Sequence, residues 1–193
     1  MLDAAFGLYR RRISILGQWG VLDGAPSVLD VGCGTGEYAM ITAGPYLGVD
    51  VTERYIERAR RRHRRHVQRE FRAADAATLE AERRTFDIVL MVDFLHHLDD
   101  ASCDSILATA ARLSRRFVIS FEPVTGQHNR VGRWIVDHDR GGNMRSLDSY
   151  HRLFELSPLV VERSDELRLG PIGTQALLAS VPREQRPNAI RSR

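Results

Sequence analysis

Residues 27–38, Ser-Val-Leu-Asp-Val-Gly-Cys-Gly-Thr-Gly-Glu-Tyr, constrain this chain more than any other stretch. Apolar residues lead into Asp30, and glycines then alternate with other residues at Gly32, Gly34 and Gly36. The pattern predicts a strand entering a tight turn, because glycine accepts positive φ and lets a ligand approach the backbone without meeting a Cβ. A short helix over 37–42 would aim its N–H groups at whatever occupies the crevice. The ligand class is therefore nucleotide-like. The dinucleotide fingerprint places its glycines at G-x-G-x-x-G. Here the third glycine comes one residue early, Glu37 stands where that pattern needs glycine, and Asp30 precedes the first. An acid at each end of the turn repels an anion and attracts a cation.

A chain of 193 residues accommodates one α/β domain with a sizeable core and leaves no room for a second full domain. Hydrophobic residues at 43% and charged residues at 27% are ordinary for a soluble globular protein. Cys33 lies in the turn and Cys103 in a predicted helix, an arrangement that suggests neither a disulfide framework nor a zinc site and points to a reducing cytoplasm. No apolar run reaches membrane-spanning length, and residues 1–9 make a poor signal peptide because the arginines follow the apolar residues. All 28 basic residues are arginine, a compositional habit that lowers the information in each one.

Met1–Trp19 reads as a helix, Tyr46–Asp50 as the second strand, and Thr52–His66 as a helix with a narrow apolar stripe at Tyr55, Ile56 and Ala59. Its arginines at 58, 60, 61, 62, 64 and 65 admit a nucleic-acid reading, but without interleaved aromatics a solvated helix face is favoured. Val67–Ala74 reads as an edge strand, and Phe86–Val92 as a central strand buried on both faces. A helix starts at Asp99 or Asp100 and is closed by Arg115 and Arg116, followed by a fifth strand at Phe117–Phe121. Ser146 caps a helix carrying Tyr150, Leu153 and Phe154. Leu159–Leu169 and Thr174–Val181 form a closing hairpin around a turn at 170–173, and residues 183–193 read as a disordered tail.

Val28–Gly36 resembles the first motif of class I S-adenosylmethionine (SAM)-dependent methyltransferases, in which an acid and a glycine-rich turn hold the cofactor's amino-acid end. The order of elements from about residue 5 to 182 resembles that of small bacterial methyltransferases of biosynthetic gene clusters. The resemblance implies a doubly wound, Rossmann-like, mostly parallel seven-stranded α/β sheet ending in an antiparallel hairpin, in a single domain over residues 1–182. Residues 1–20 would then form a helical lid and 124–150 an acceptor-side cap, since long connectors at the carboxyl edge carry specificity.

Asp50 stands where nucleotide folds place an acid to accept two hydrogen bonds from ribose hydroxyls, and geometry and resemblance agree on it. The resemblance further implies cofactor contacts from Asp30, Gly32, Gly34, Gly36, Val51, Asp75, Ala76 and Asp93. Tyr9 and Arg12 are candidates from the lid, for which a solvated helix face is the commoner reading. Asp75 would accept from the adenine amino group, or cap the helix that follows it, or both. Asp30, Asp50, Asp75, Asp93 and Glu122 end successive strands and should rim one crevice. After the fourth strand, adjacent His96 and His97 cannot both face one metal from a helix and have no third ligand nearby, so no metal site is expected. His97, His96 or Glu122 would take a proton if the acceptor is a hydroxyl or amine. Glu122-Pro123 stands where these enzymes typically have Asp-Pro, and Arg130, Arg140 and Arg145 would favour an anionic acceptor.

The implied activity is methyl transfer from SAM to O, N or C of a small molecule in a natural-product or sugar/acid pathway. One alternative is a protein that uses SAM without transferring its methyl group, in a ring closure or elimination, alongside a partner protein. The other is a nucleic-acid methyltransferase or binder, against which stands the absence of an Asn/Asp-Pro-Pro-Tyr motif after the fourth strand.

Overall fold

A computed structural model of the chain describes residues 7–125, 143–168 and 174–185. Helix α1 (Leu8–Gln18) precedes strand β1 (Val28–Val31), and strand β2 (Tyr46–Asp50), helix α2 (Glu53–Arg62) and strand β3 (Arg69–Ala73) follow. Strand β4 (Phe86–Val92), helix α3 (Asp100–Leu113) and strand β5 (Ser114–Val124) continue the alternation. Helix α4 (Leu147–Leu156) and strands β6 (Leu159–Arg168) and β7 (Thr174–Pro182) complete it. Single 3-10 turns occupy Ala76–Ala81, Leu95–His97 and Arg183–Gln185.

The seven strands form one sheet in the order β3-β2-β1-β4-β5-β7-β6. β1 to β5 are parallel, whereas β7 runs antiparallel to both β5 and β6. This is the mostly parallel Rossmann-like sheet with a closing antiparallel pair that the sequence predicts. The order reverses between β1 and β4, so a crevice opens beyond their carboxyl ends, where open α/β sheets bind ligands. All four residues of β1 are buried, as a strand covered on both faces requires.

The helices that back the sheet are specified locally. Asp99 caps α3 by accepting from the Ser102 amide at 2.8 Å, and Ser146 caps α4 by accepting from the Ser149 amide at 3.1 Å. Cys103, Ile106, Leu107, Ala110 and Leu113 of α3 meet Tyr150, Leu153 and Phe154 of α4 in one core layer. On the other face, Leu8 and Leu16 of α1 pack with Tyr38, Ile88, Phe121 and Leu177.

Three expectations are corrected. Residues 37–42 form successive turns and no helix. Gly36 at one end and Gly44-Pro45 at the other leave too short a run to offset the cost of nucleation. Buried Thr42, donating to the Pro26 carbonyl at 2.7 Å, holds the connection instead. Arg115 and Arg116 do not close α3 but already belong to β5, which begins at Ser114. The chain beyond Pro182 is not loose at once, since Arg183 donates to Ser157 O and Glu155 O, and Gln185 to Ser114 O. Residues 1–6 of the expected lid, 126–142 of the expected cap (Arg130 and Arg140 included), the hairpin turn at 170–173 and tail residues 186–193 lie outside the described residues.

Candidate cofactor and acceptor site

The glycine turn leaves β1 by donating the Gly32 and Cys33 amides to Val49 O of β2, at 2.8 and 3.0 Å. Its three glycines serve different ends. A Cβ at Gly32 would come within 2.5 Å of the Phe94 ring and one at Gly36 within 2.8 Å of Phe71, so both are required by packing. Gly34, at φ +53°, has nothing within 4 Å of where its Cβ would lie. It is the place where the turn presents bare backbone to the crevice.

Asp50 closes the same turn from β2. Its Oδ2 accepts from Gly34 N at 2.9 Å and its Oδ1 from Thr52 N at 2.8 Å. Each carboxylate oxygen can accept twice, so one acceptor position per oxygen remains for a vicinal diol. Val51 is 74% exposed, an apolar side chain left on the rim beside Asp50. Asp75 is exposed at the end of β3 and caps the turn that follows by accepting from Ala77 N at 2.9 Å, with Ala76 half-buried beside it.

Asp30 is not on the rim. It is 1% exposed and accepts from the Tyr46 hydroxyl at 2.5 Å beneath the turn. Burial, with Asp50 adding like charge, pushes its carboxyl up to about 7 despite the Tyr46 hydrogen bond, which works the other way.

Arg12 is fully enclosed, at 2% exposure, and not part of a solvated face. Its Nε and Nη2 donate to Gln175 Oε1 at 3.0 and 2.6 Å, and its Nη1 to the Tyr38 hydroxyl at 2.7 Å. Nη2 also donates to both oxygens of Asp93, and Gln175 Nε2 donates to Asp93 Oδ1 at 3.0 Å. Asp93 ends β4 in the left-handed region at φ +51°, which Asp tolerates better than most residues, with its side chain 44% exposed toward solvent. Tyr9, one helical step from Arg12, packs on Tyr38 with ring centroids 5.2 Å apart. Arg12 thus fastens helix α1 to Tyr38, Gln175 and Asp93.

Glu122 does not face an acceptor directly. At 1% exposure it accepts from the amides of Phe94, Leu95 and His96 at 3.1, 2.8 and 3.3 Å. Its Oε2 also lies 2.9 Å from His96 Nδ1. Glu122 thus anchors the turn after β4 through three of its amides and the His96 ring. His96 is itself 2% exposed. His97 is exposed, and its ring lies 4.1 Å from that of His96, tilted by 39°. Arg145 donates to Leu95 O, Leu98 O and Asp100, so its charge closes the carboxyl side of this turn instead of reaching outward. Among the described residues no group of His, Cys, Asp and Glu could hold a metal ion. No described helix is long and apolar enough to cross a membrane.

Tyr38, Tyr46 and Gln175 belong to this site and carry no local sequence signal. Arg12 does carry one, because it falls between Leu8 and Leu16 at i, i+4 and i+8 on the buried face of α1.

Part of this chain matches a known class. Residues 28–116 match the family model for the methyltransferase domain. The chain as a whole has the fold of class I methyltransferases. The chain is 36% identical over 95 residues to 27-O-demethylrifamycin SV methyltransferase of Amycolatopsis mediterranei, covering 46% of this chain and 34% of that one. It is 33% identical over 95 residues to 2-methyl-6-phytyl-1,4-hydroquinone methyltransferase of Synechocystis, covering 46% and 30%. The chain spans about a third of the length of these curated relatives. Magnesium protoporphyrin IX methyltransferase from Synechocystis PCC 6803, solved with bound SAH, superposes with a TM-score of 0.71 at 17% identity over 90% of this chain and 83% of that one.

Proposed function

We propose that the protein binds SAM and passes its methyl group to a small-molecule acceptor. The observation that carries this reading is the pairing of Gly34 with Asp50. An open backbone position lies against a carboxylate that keeps two acceptor positions free, which suits a ribose set close to the main chain. Asp50 would take the ribose hydroxyls. Val51, Asp75 and Ala76 would take the adenine, and Asp93 with Tyr9 the amino-acid end. Acids at 50, 75 and 93 give the crevice the negative field a sulfonium and an ammonium group favour.

When bound, SAM supplies an electrophilic methyl group for in-line displacement at carbon. The chain's own residues align the acceptor, exclude water and manage a proton. Arg12 clasps helix α1 to Tyr38, Gln175 and Asp93. Glu122 fixes the backbone of residues 94–96 and the His96 ring, and His96 in turn supports the exposed imidazole of His97. His97 is the group we assign to receive a proton from a hydroxyl or amine acceptor; a phenolate or carboxylate would need no base. The test is incubation with methyl-labelled SAM and candidate pathway intermediates, followed by intact-mass analysis. A gain of one labelled methyl on a small molecule is expected. Label appearing on nucleic acid, or consumption of an intermediate with SAM unchanged, would overturn the reading.

A further inference from the structure

Asp30 and Tyr46 face each other across the strands that carry the glycine turn. Asp30 is in register with Gly48 of β2, and Tyr46 is two residues before Gly48 on the same face of that strand. Gly48 has no room for a side chain, since a Cβ there would lie 2.7 Å from Cys33 Sγ and 2.9 Å from the Phe71 ring. The lane it leaves lets the Tyr46 ring lean toward Asp30, packed 5.7 Å from Phe71, which itself stacks on His63 at 5.5 Å. Both members of the pair are sealed, at 1% and 2% exposure.

The groups that act on Asp30 include the Tyr46 hydrogen bond and no positive charge. From β2 come the Tyr46 hydroxyl and the Asp50 carboxylate, and from the turn the Cys33 thiol, itself pushed far up by burial and these two acids. β4 contributes Leu90 at the facing position. Arg69 of β3 acts on Tyr46, not on Asp30. A carboxyl in such a place holds its proton near neutral pH until a cation arrives.

Resting on the reading that this site takes SAM, we infer that the Asp30–Tyr46 pair is a charge-selective element beneath the turn, favouring the sulfonium cofactor over its neutral thioether product. When the cation occupies the crevice, the Asp30 O–H bond breaks and the proton leaves to solvent. The carboxylate that remains is held by the hydrogen bond from Tyr46. SAH keeps the ammonium group but has lost the sulfonium charge, so it draws the proton off less completely and leaves more readily. Tyr46 acts through Asp30 and is a positioning residue.

Calorimetry of SAM and SAH in phosphate and in Tris, at about pH 7 where Asp30 titrates, decides the matter. SAM should show a buffer-dependent enthalpy that reports proton release, and SAH a smaller one. Below the titration, SAM affinity should rise up to about tenfold per pH unit and level off above it. Asp30→Asn should abolish the slope. Tyr46→Phe should move it to higher pH, because the lost hydrogen bond favours the ionised form. Equal enthalpies in both buffers, or equal proton release by SAM and SAH, would overturn the inference while leaving the cofactor reading intact. If neither ligand binds, the cofactor reading itself falls. A ¹³C titration of the Asp30 carboxyl in the free protein then still tests the pair: titration in the ordinary carboxylate range overturns it.

Discussion

Arg12 of α1 and Asp93 at the end of β4 meet across the crevice in a two-pronged contact, with Arg12 Nη2 at 3.0 and 2.9 Å from the two carboxylate oxygens. The guanidinium stays charged in its enclosed position because Asp93 and Tyr38 offset the burial that opposes it. Arg12→Met would leave Tyr38, Gln175 and Asp93 without their shared donor. Because Asp93 is 44% exposed, water would soften the loss, and a destabilisation of about 1–3 kcal/mol is expected. Denaturant unfolding checks this. Affinity for SAM should fall as α1 loosens, whereas affinity for methylthioadenosine, which lacks the amino-acid end, should fall less.

His97→Ala and Glu122→Ala should separate. Removing the exposed imidazole should leave the fold and SAM affinity nearly unchanged and lower turnover about 10²–10⁴-fold on a hydroxyl or amine acceptor. Removing Glu122 strips three amides and His96 of a shared partner, and should cost about 3–5 kcal/mol of stability along with activity. Thermal melts and kinetics on the same two variants provide the check; a stable, active Glu122→Ala would contradict its anchoring role.

The arginines of α2 and the turn after it are not all alike. Arg60 was expected on a solvated face, but its guanidinium donates to Phe71 O at 3.2 and 2.9 Å and ties α2 to β3. Arg54, Arg61 and Arg64 are exposed. Their joint change to Gln should leave methyl transfer to the true acceptor within about twofold, as for surface substitutions generally. A large loss that vanishes at high salt would instead indicate a nucleic-acid substrate.

Acid stability should depend on Glu82. The Arg84 amide, with the Arg84 and Arg72 guanidiniums, holds its carboxyl down at about 2. A depressed folded pKa adds stability that is complete above the unfolded value and is lost as pH falls through the folded one. Wild-type stability should therefore decline from about pH 4.5 down to about pH 2, and Glu82→Gln should flatten that part of the curve. Urea midpoints measured across that range check it.

The parallel core and the closing hairpin were legible because their signals are local: a buried Val-Leu-Asp-Val before a glycine turn, a seven-residue apolar run at Phe86–Val92, and caps at Asp99 and Ser146. Asp50, Asp75 and Asp93 follow from the same logic, since each ends or closely follows a strand. Side-chain environment was not legible. Asp30 and Asp50 look alike in sequence, yet one is sealed under Tyr46 and the other faces the crevice, a difference made by the lane over Gly48. Glu122 reads as a base until three amides from a turn 26–28 residues earlier are seen to converge on it. Gln175 reaches Arg12 only because β7 inserts beside β5, a pairing no local pattern announces.

Calorimetry of SAM with the wild type, Gly34→Ala and Asp50→Ala tests the central claim most directly. A Cβ at Gly34 meets nothing in the protein, so beyond the strain of φ +53° its effect reports on a ligand in the crevice. Asp50→Ala removes the acceptor for two charge-assisted hydrogen bonds of about 1.5–3 kcal/mol each. With folding verified by circular dichroism, the account predicts measurable SAM binding to the wild type and a loss of at least about 100-fold for Asp50→Ala. It also predicts a marked loss for Gly34→Ala. Wild-type affinity retained by both folded variants would contradict the placement of the cofactor on the glycine turn.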